Sequence, residues 1–238
     1  MVTSAARRAP TGRWWRLAKR AATRYLSPEK EGGVEVREVV ARYLAALEGS
    51  AAAGGPGALA AFSLTRKVAQ DLGAFWAQAV SQGWEAVLNA WGVPQLKGQP
   101  PEIAAAGLSA ALVGPGGGLE EAVARAALAQ ALLPHLPPQD YLQSEAGPAS
   151  GPEPHLLVQH FLGTVLAGRL VLDLGESLEA AGRDFRRLQM GLAGLTGYIS
   201  QAALASPVSS PSQTEHWRGL NGWLWVTQVL AAILKKLR

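Results

Sequence analysis

From Arg13 to Leu237 apolar side chains return every third or fourth residue, and no run alternates apolar with polar between hairpin turns. A period near 3.6 builds helices, so the chain reads as all-α. The expected architecture is an irregular multi-helix bundle of about seven to nine helices, with a basic N-terminal arm and a tethered C-terminal amphipathic helix. Hydrophobic residues make up 48% of the 238, enough for a core and too many for a disordered chain.

Glycine and proline punctuate the pattern. A first helix runs from Arg13 to Leu26 on Trp14, Leu17, Ala18, Ala21, Ala22 and Tyr25, and Ser27-Pro28 stops it. A second spans Val34 to Leu47. A third runs from Ala58 to Gly83, with Gly73 marking a bend, and a fourth from Trp84 to Trp91. Pro101-Glu102 opens a fifth that ends at Val113, because proline and an acid both suit a first helical turn. After Gly114-Pro115-Gly116-Gly117-Gly118 a sixth covers Leu119 to Leu133. Long helices follow from His155 to Arg183 and Phe185 to Ala205. A last one, Glu215 to Leu237, carries Trp217, Leu220, Leu224, Ala231 and Leu234 on one face. Glycines at 191, 194 and 197 allow another backbone to approach closely. The organisation expected is a basic arm (1–27), a helical domain (34–133), a proline-rich linker (134–154) with a short turn at Gln139–Gln143, a long-helix segment packing on that domain (155–205), a Ser/Pro linker from Ser206 to Thr214, and the C-terminal helix (215–238).

Charge is sparse and uneven. Seven basic side chains and no acid fall in the first 26 residues, whereas the rest of the chain holds 15 basic and 18 acidic ones. The arm is cationic and the body mildly acidic. Cysteine is absent, which excludes disulfide scaffolds, thiol nucleophiles and thiolate metal sites, and fits a cytoplasmic setting. No secretory leader is read. The longest candidate span, Gly219 to Leu234, is 16 uncharged residues and includes Asn221, Thr227 and Gln228, so no membrane span is expected.

Little catalytic chemistry is legible. No strand-borne Gly-x-Ser-x-Gly elbow occurs. His155 and His160 are five apart, which does not place two ligands on one helix face. The Gly114–Gly118 loop follows a helix rather than a strand, lacks the Lys-Ser/Thr of a phosphate loop, and leads into Glu120 and Glu121. Glu120/Glu121 and Asp173/Glu176 sit at ordinary helical positions. Neither an enzyme, a metal nor a cofactor is expected. Two segments are candidate contact sites. Arg7, Arg8, Arg13, Trp14, Trp15, Arg16, Lys19 and Arg20 interleave cations with aromatics. They suit nucleic acid, a protein partner or anionic lipid, or else a solvated or docked arm. Trp217, Leu220, Trp223 and Leu224 suit either packing on the body or a partner's groove.

Several stretches also stand in a telling order. They are Arg24-Tyr25-Leu26-Ser27, the Gly54-Gly55 loop, and Gly83-x3-Val87-Leu88 followed by Val93-x2-Leu96-x-Gly98. Then come Gly114 to Gly118 continuing as Leu119-Glu120-Glu121-Ala122-x2-Arg125-Ala126-Ala127, and Gly197-Tyr198-Ile199. In that order they resemble the QatB-like component of Qat anti-phage defence systems. The resemblance implies a non-catalytic subunit working beside an ATPase, a QueC-like enzyme of deazapurine chemistry and a TatD-like nuclease. It also implies an N-terminus, opening Met-Gly-Thr-Ser in the family, that the QueC-like partner conjugates with a deazaguanine-type base. Thr3 and Ser4 match that opening, and Val2 stands where the family has glycine. On the residues alone the alternative is a helical nucleic-acid-binding module using its basic arm.

Overall fold

The structure, a computed structural model, describes residues 12–27, 34–52, 57–136, 151–182, 185–206 and 217–238. The fold is all-α, and no strand occurs among the described residues. The helices are α1 (Arg13–Leu26), α2 (Val36–Ala52), α3 (Ser63–Gln82), α4 (Trp84–Ala90), α5 (Pro101–Val113), α6 (Leu119–Leu132), α7 (Pro154–Ala181), α8 (Phe185–Leu204) and α9 (Gly219–Lys236). Single 3-10 turns at Ala60–Phe62, Pro94–Leu96 and Leu133–His135 were not read from the pattern. The expected Gln139–Gln143 turn, the Gly54-Gly55 loop and the linker after Ser206 lie outside the described residues.

The chain forms two compact units. One comprises residues up to Ala61, Arg169–Tyr198 and Leu237–Arg238. The other comprises Phe62–Gly168 and Ile199–Lys236. In the first unit α1 packs on α2. Its buried side is made of small residues, Ala18, Ala21 and Ala22, flanked by Trp15 and Leu26. Trp15 meets Tyr43 edge to face, with ring centroids 5.8 Å apart. The Tyr43 hydroxyl and the Arg169 Nε each donate to Asp173 Oδ2 at 3.0 Å, so this buried carboxylate ties α2 to α7. Arg238 pairs with Glu48.

The glycines of α8 accept side chains rather than the backbone expected. A Cβ at Gly191 would collide with Leu26, and one at Gly194 with the Tyr25 hydroxyl, while Gly197 faces open space. Tyr25 donates to the Gly191 carbonyl at 3.3 Å. The difference arises because α1 meets α8 through its last turn, whose long side chains need the room. The 24–27 stretch that carried part of the resemblance therefore touches α8 at Gly191 and Gly194.

In the second unit α3 is central. It packs on α4, α5, α6 and α9. Phe75 and Trp76 are fully buried, and Trp84 crosses both at centroid distances of 6.1 and 5.6 Å. The Trp76 indole donates to the Pro152 carbonyl at 2.9 Å, which satisfies its buried N–H. The helix runs unbroken through Gly73. Its missing side chain makes space for the Trp217 ring, which lies where a Cβ would be.

The glycine-rich break has a structural explanation. Gly114 ends α5 with φ 81°, a conformation that favours glycine, and its N–H reaches the Ala110 carbonyl at 3.0 Å. From α6, Arg125 donates to the carbonyls of Gly114, an acceptor that α5 leaves open, and of Gly116 in the loop beyond it. The Glu121 side chain lies against Gly116 and Gly118, so the loop is filled from within by a carboxylate and offers no seat to an anion.

Among the described residues α7 alone is long and apolar enough to cross a bilayer, and 61% of its most apolar window is buried inside the fold. Arg169 and Asp173 interrupt its apolar run, so it does not stand out as an uncharged stretch in the sequence. These two pair with each other at 3.0 Å. Its apolar residues are core, with Leu157, Phe161 and Leu162 in one unit and Leu170, Leu174 and Leu178 in the other.

Candidate functional site

Two surfaces hold the residues singled out by sequence, and each lies within one unit. The first is the outer face of α1. Arg13, Arg16, Arg20 and Arg24 are all exposed. At 100° per residue they fall within an arc of about 80°, opposite the side buried on α2. The helix contains no acid, and among the described residues no carboxylate pairs with any of the four. They span roughly 17 Å of helix axis. Lys19 lies on the flank and is half-buried, its carbonyl accepting the Thr23 hydroxyl at 3.0 Å.

The two tryptophans beside these cations have different fates. Trp15 is 7% exposed and belongs to the core. Trp14 is 43% exposed, with Arg13 5.8 Å above its ring, and one edge of the indole occupies the space over Gly49. The sequence stripe had Trp14 facing inward. Adjacent tryptophans differ by only 100° around the axis, and the edge-on fit to Tyr43 selects the second. Arg7 and Arg8 lie outside the described residues.

The second surface is built by α3 and α9. The candidate residues there divide sharply. Trp217 is 1% exposed, packed at 4.9 Å from Trp225 and clamped by Gln70, whose amide donates to the Trp217 and Gly219 carbonyls at 3.0 and 2.7 Å. Leu220 is 70% exposed and Leu224 46%. They stand one turn apart on the outside of α9. Trp223 is half-buried between them and α3, with the Arg66 guanidinium 4.5 Å over its ring. Arg66 also donates to the Thr227 hydroxyl at 3.3 Å, while its Nε is buried without a hydrogen-bond partner.

The expected apolar face of Trp217, Leu220, Leu224, Ala231 and Leu234 is therefore corrected. The buried face is Gly222, Trp225, Val226, Val229, Leu230, Ile233 and Leu234. Trp217 precedes the helix, and Gly219 at its start has φ 74°, so a spacing counted from Trp217 does not carry into α9. Nothing in the apolar pattern signalled Arg66. Its pairing with Trp223 is a tertiary contact between residues 157 positions apart.

Among the described residues no three His, Asp or Glu side chains converge as a metal site. His135 packs edge-on to Trp76, and its pKa is lowered by burial first and by the charge of His160 second. The Nδ1 of His155 is buried with no hydrogen-bond partner.

The comparisons give these surfaces a context. The family model described as QatB, Qat anti-phage system associated protein, matches residues 54–234. The match takes in every stretch that carried the resemblance except Arg24–Ser27, which precedes it, and extends over nearly all of α9. Helices α1 and α2 precede it. No curated protein matches the chain. No solved structure matches it either. With well over half of its length matched, the chain belongs to the QatB family of Qat anti-phage system associated proteins.

Proposed function

We propose that this Qat component is non-catalytic and works by holding protein partners. Family membership carries the reading, and the exposed Leu220–Leu224 face of α9 supports it. Apolar anchors beside an arginine-stacked tryptophan have the composition of binding hot spots, where aromatics and arginine concentrate the energy. The partners in this reading are the ATPase, the QueC-like enzyme and the TatD-like nuclease of the same system, in the cytoplasm.

The test is to express the system with this chain tagged, treat the lysate with nuclease, and weigh the isolated complexes by native mass spectrometry. A fixed stoichiometry with one of the three supports the proposal. Recovery of the chain free of all three would contradict it. In the same reading the QueC-like partner conjugates the N-terminus, where Thr3 and Ser4 follow the family's opening. Intact mass with and without that enzyme checks this, and an identical mass in both strains rejects it.

A second reading, contact with nucleic acid through the basic arm, is favoured by one observation. Four exposed arginines without carboxylate partners share a single face of α1.

A further inference from the structure

That second reading can be narrowed to a ligand class. We propose that Arg13, Arg16, Arg20 and Arg24 grip the phosphate backbone of double-stranded nucleic acid. Successive arginines advance about 4.5–6 Å along the axis. Phosphate charge recurs every ~3.4 Å of rise along each strand, so long guanidinium side chains reach neighbouring or alternate phosphates. Guanidinium also matches phosphate in a bidentate fork. The same stripe lacks an acid that would repel the ligand.

The other polyanion surfaces fit less well. A helix that lies on lipid must offer its apolar face to the bilayer. The apolar side of α1 is occupied by packing on α2, with Ala18 and Ala22 fully buried. Single strands are held by rows of aromatics on which bases stack. Here Trp15 is core and Trp14 lies over Gly49, at the edge of the stripe rather than along it. Nor does α1 carry an Asn or Gln to read adenine. What remains is cationic and linear.

The experiment measures fluorescence anisotropy of a labelled duplex of arbitrary sequence with the full chain, from about 50 to 200 mM salt. Duplex DNA and duplex RNA are both run, beside a single strand of equal length, polyglutamate, and vesicles of anionic phospholipid. Each Arg→Gln change is expected to reduce the log–log salt slope by about 0.9, and the quadruple variant by about 3.6. The wild type then loses roughly 150-fold more affinity across that interval than the quadruple variant. The quadruple Arg→Lys chain should keep the slope, which separates charge from folding, and far-UV circular dichroism checks that α1 persists. Binding of either duplex with this slope supports the assignment. An unchanged slope in the Arg→Gln chain, equal affinity for the single strand, or equal arginine-dependent binding to polyglutamate or vesicles would overturn it. Nuclease treatment in the partner experiment keeps the two proposals distinguishable.

Discussion

Helices α1 and α9 each bury one side and expose the other, yet the exposed sides are chemical opposites. On α1 the inner face is mostly alanine and the outer face is arginine. On α9 the inner face is Trp225, Val226, Val229, Leu230 and Ile233, and the outer face begins with two leucines. The first outer face acts over a Debye length and is screened by salt. The second acts at van der Waals range, through dewetting. In the proposed reading the two faces meet two unlike ligands, and each can be substituted without changing the other.

The largest effect should come from Trp217, on which the placement of α9 depends. Trp217→Ala empties the space over Gly73 and removes the ring that packs on Trp225. A loss of about 3–5 kcal/mol in urea unfolding is expected. Gly73→Ala comes next. Helix propensity alone would make it stabilising by up to about 1 kcal/mol. The indole occupies the Cβ position, so a loss of roughly 1–3 kcal/mol is expected instead. A double-mutant cycle with Trp217→Leu should show strong coupling, and simple additivity would mean that the glycine is there for another reason.

Leu220→Asp with Leu224→Asp should shift stability by no more than about 0.5 kcal/mol each, because both side chains already face solvent. A large drop in melting temperature would show that the outer face of α9 is core. The smallest effect concerns His135. Its folded pKa lies below the ordinary histidine value, so near and below pH ~6.5 the unfolded chain binds more protons than the folded one. Its contribution is complete above that value and declines as the pH falls toward the folded pKa. His135→Asn should flatten the melting temperature between about pH 7 and 5, and an unaltered pH profile would remove His135 as a cause.

How far these features could be read in advance differs between the same two helices. Local signals placed most boundaries within a residue or two, because glycine and proline act on their own backbone. Pro101 with Glu102 opened α5, Gly114 closed it, and Gly92 and Pro94 followed α4. The arginine stripe was not read in that way: the cations of the first helix were expected on several sides, and only the exposure of Arg13, Arg16, Arg20 and Arg24 gathers them on one. What failed was the phase of the apolar faces. Choosing between Trp14 and Trp15 needed Tyr43, a residue on another helix. Counting from Trp217 failed because that residue stands before the α9 start at Gly219. The partner of Trp223 is Arg66, and no local rule connects them.

The most direct test crosses the two faces. Partner association and duplex binding are measured side by side on the wild type, the Leu220→Asp/Leu224→Asp chain and the quadruple Arg→Gln chain. The expected result is a double dissociation. The leucine variant loses the Qat partner and keeps the salt-dependent duplex binding, and the arginine variant does the reverse. If either variant loses both ligands while its unfolding curve stays intact, or neither variant loses one, the two faces are not separate binding surfaces.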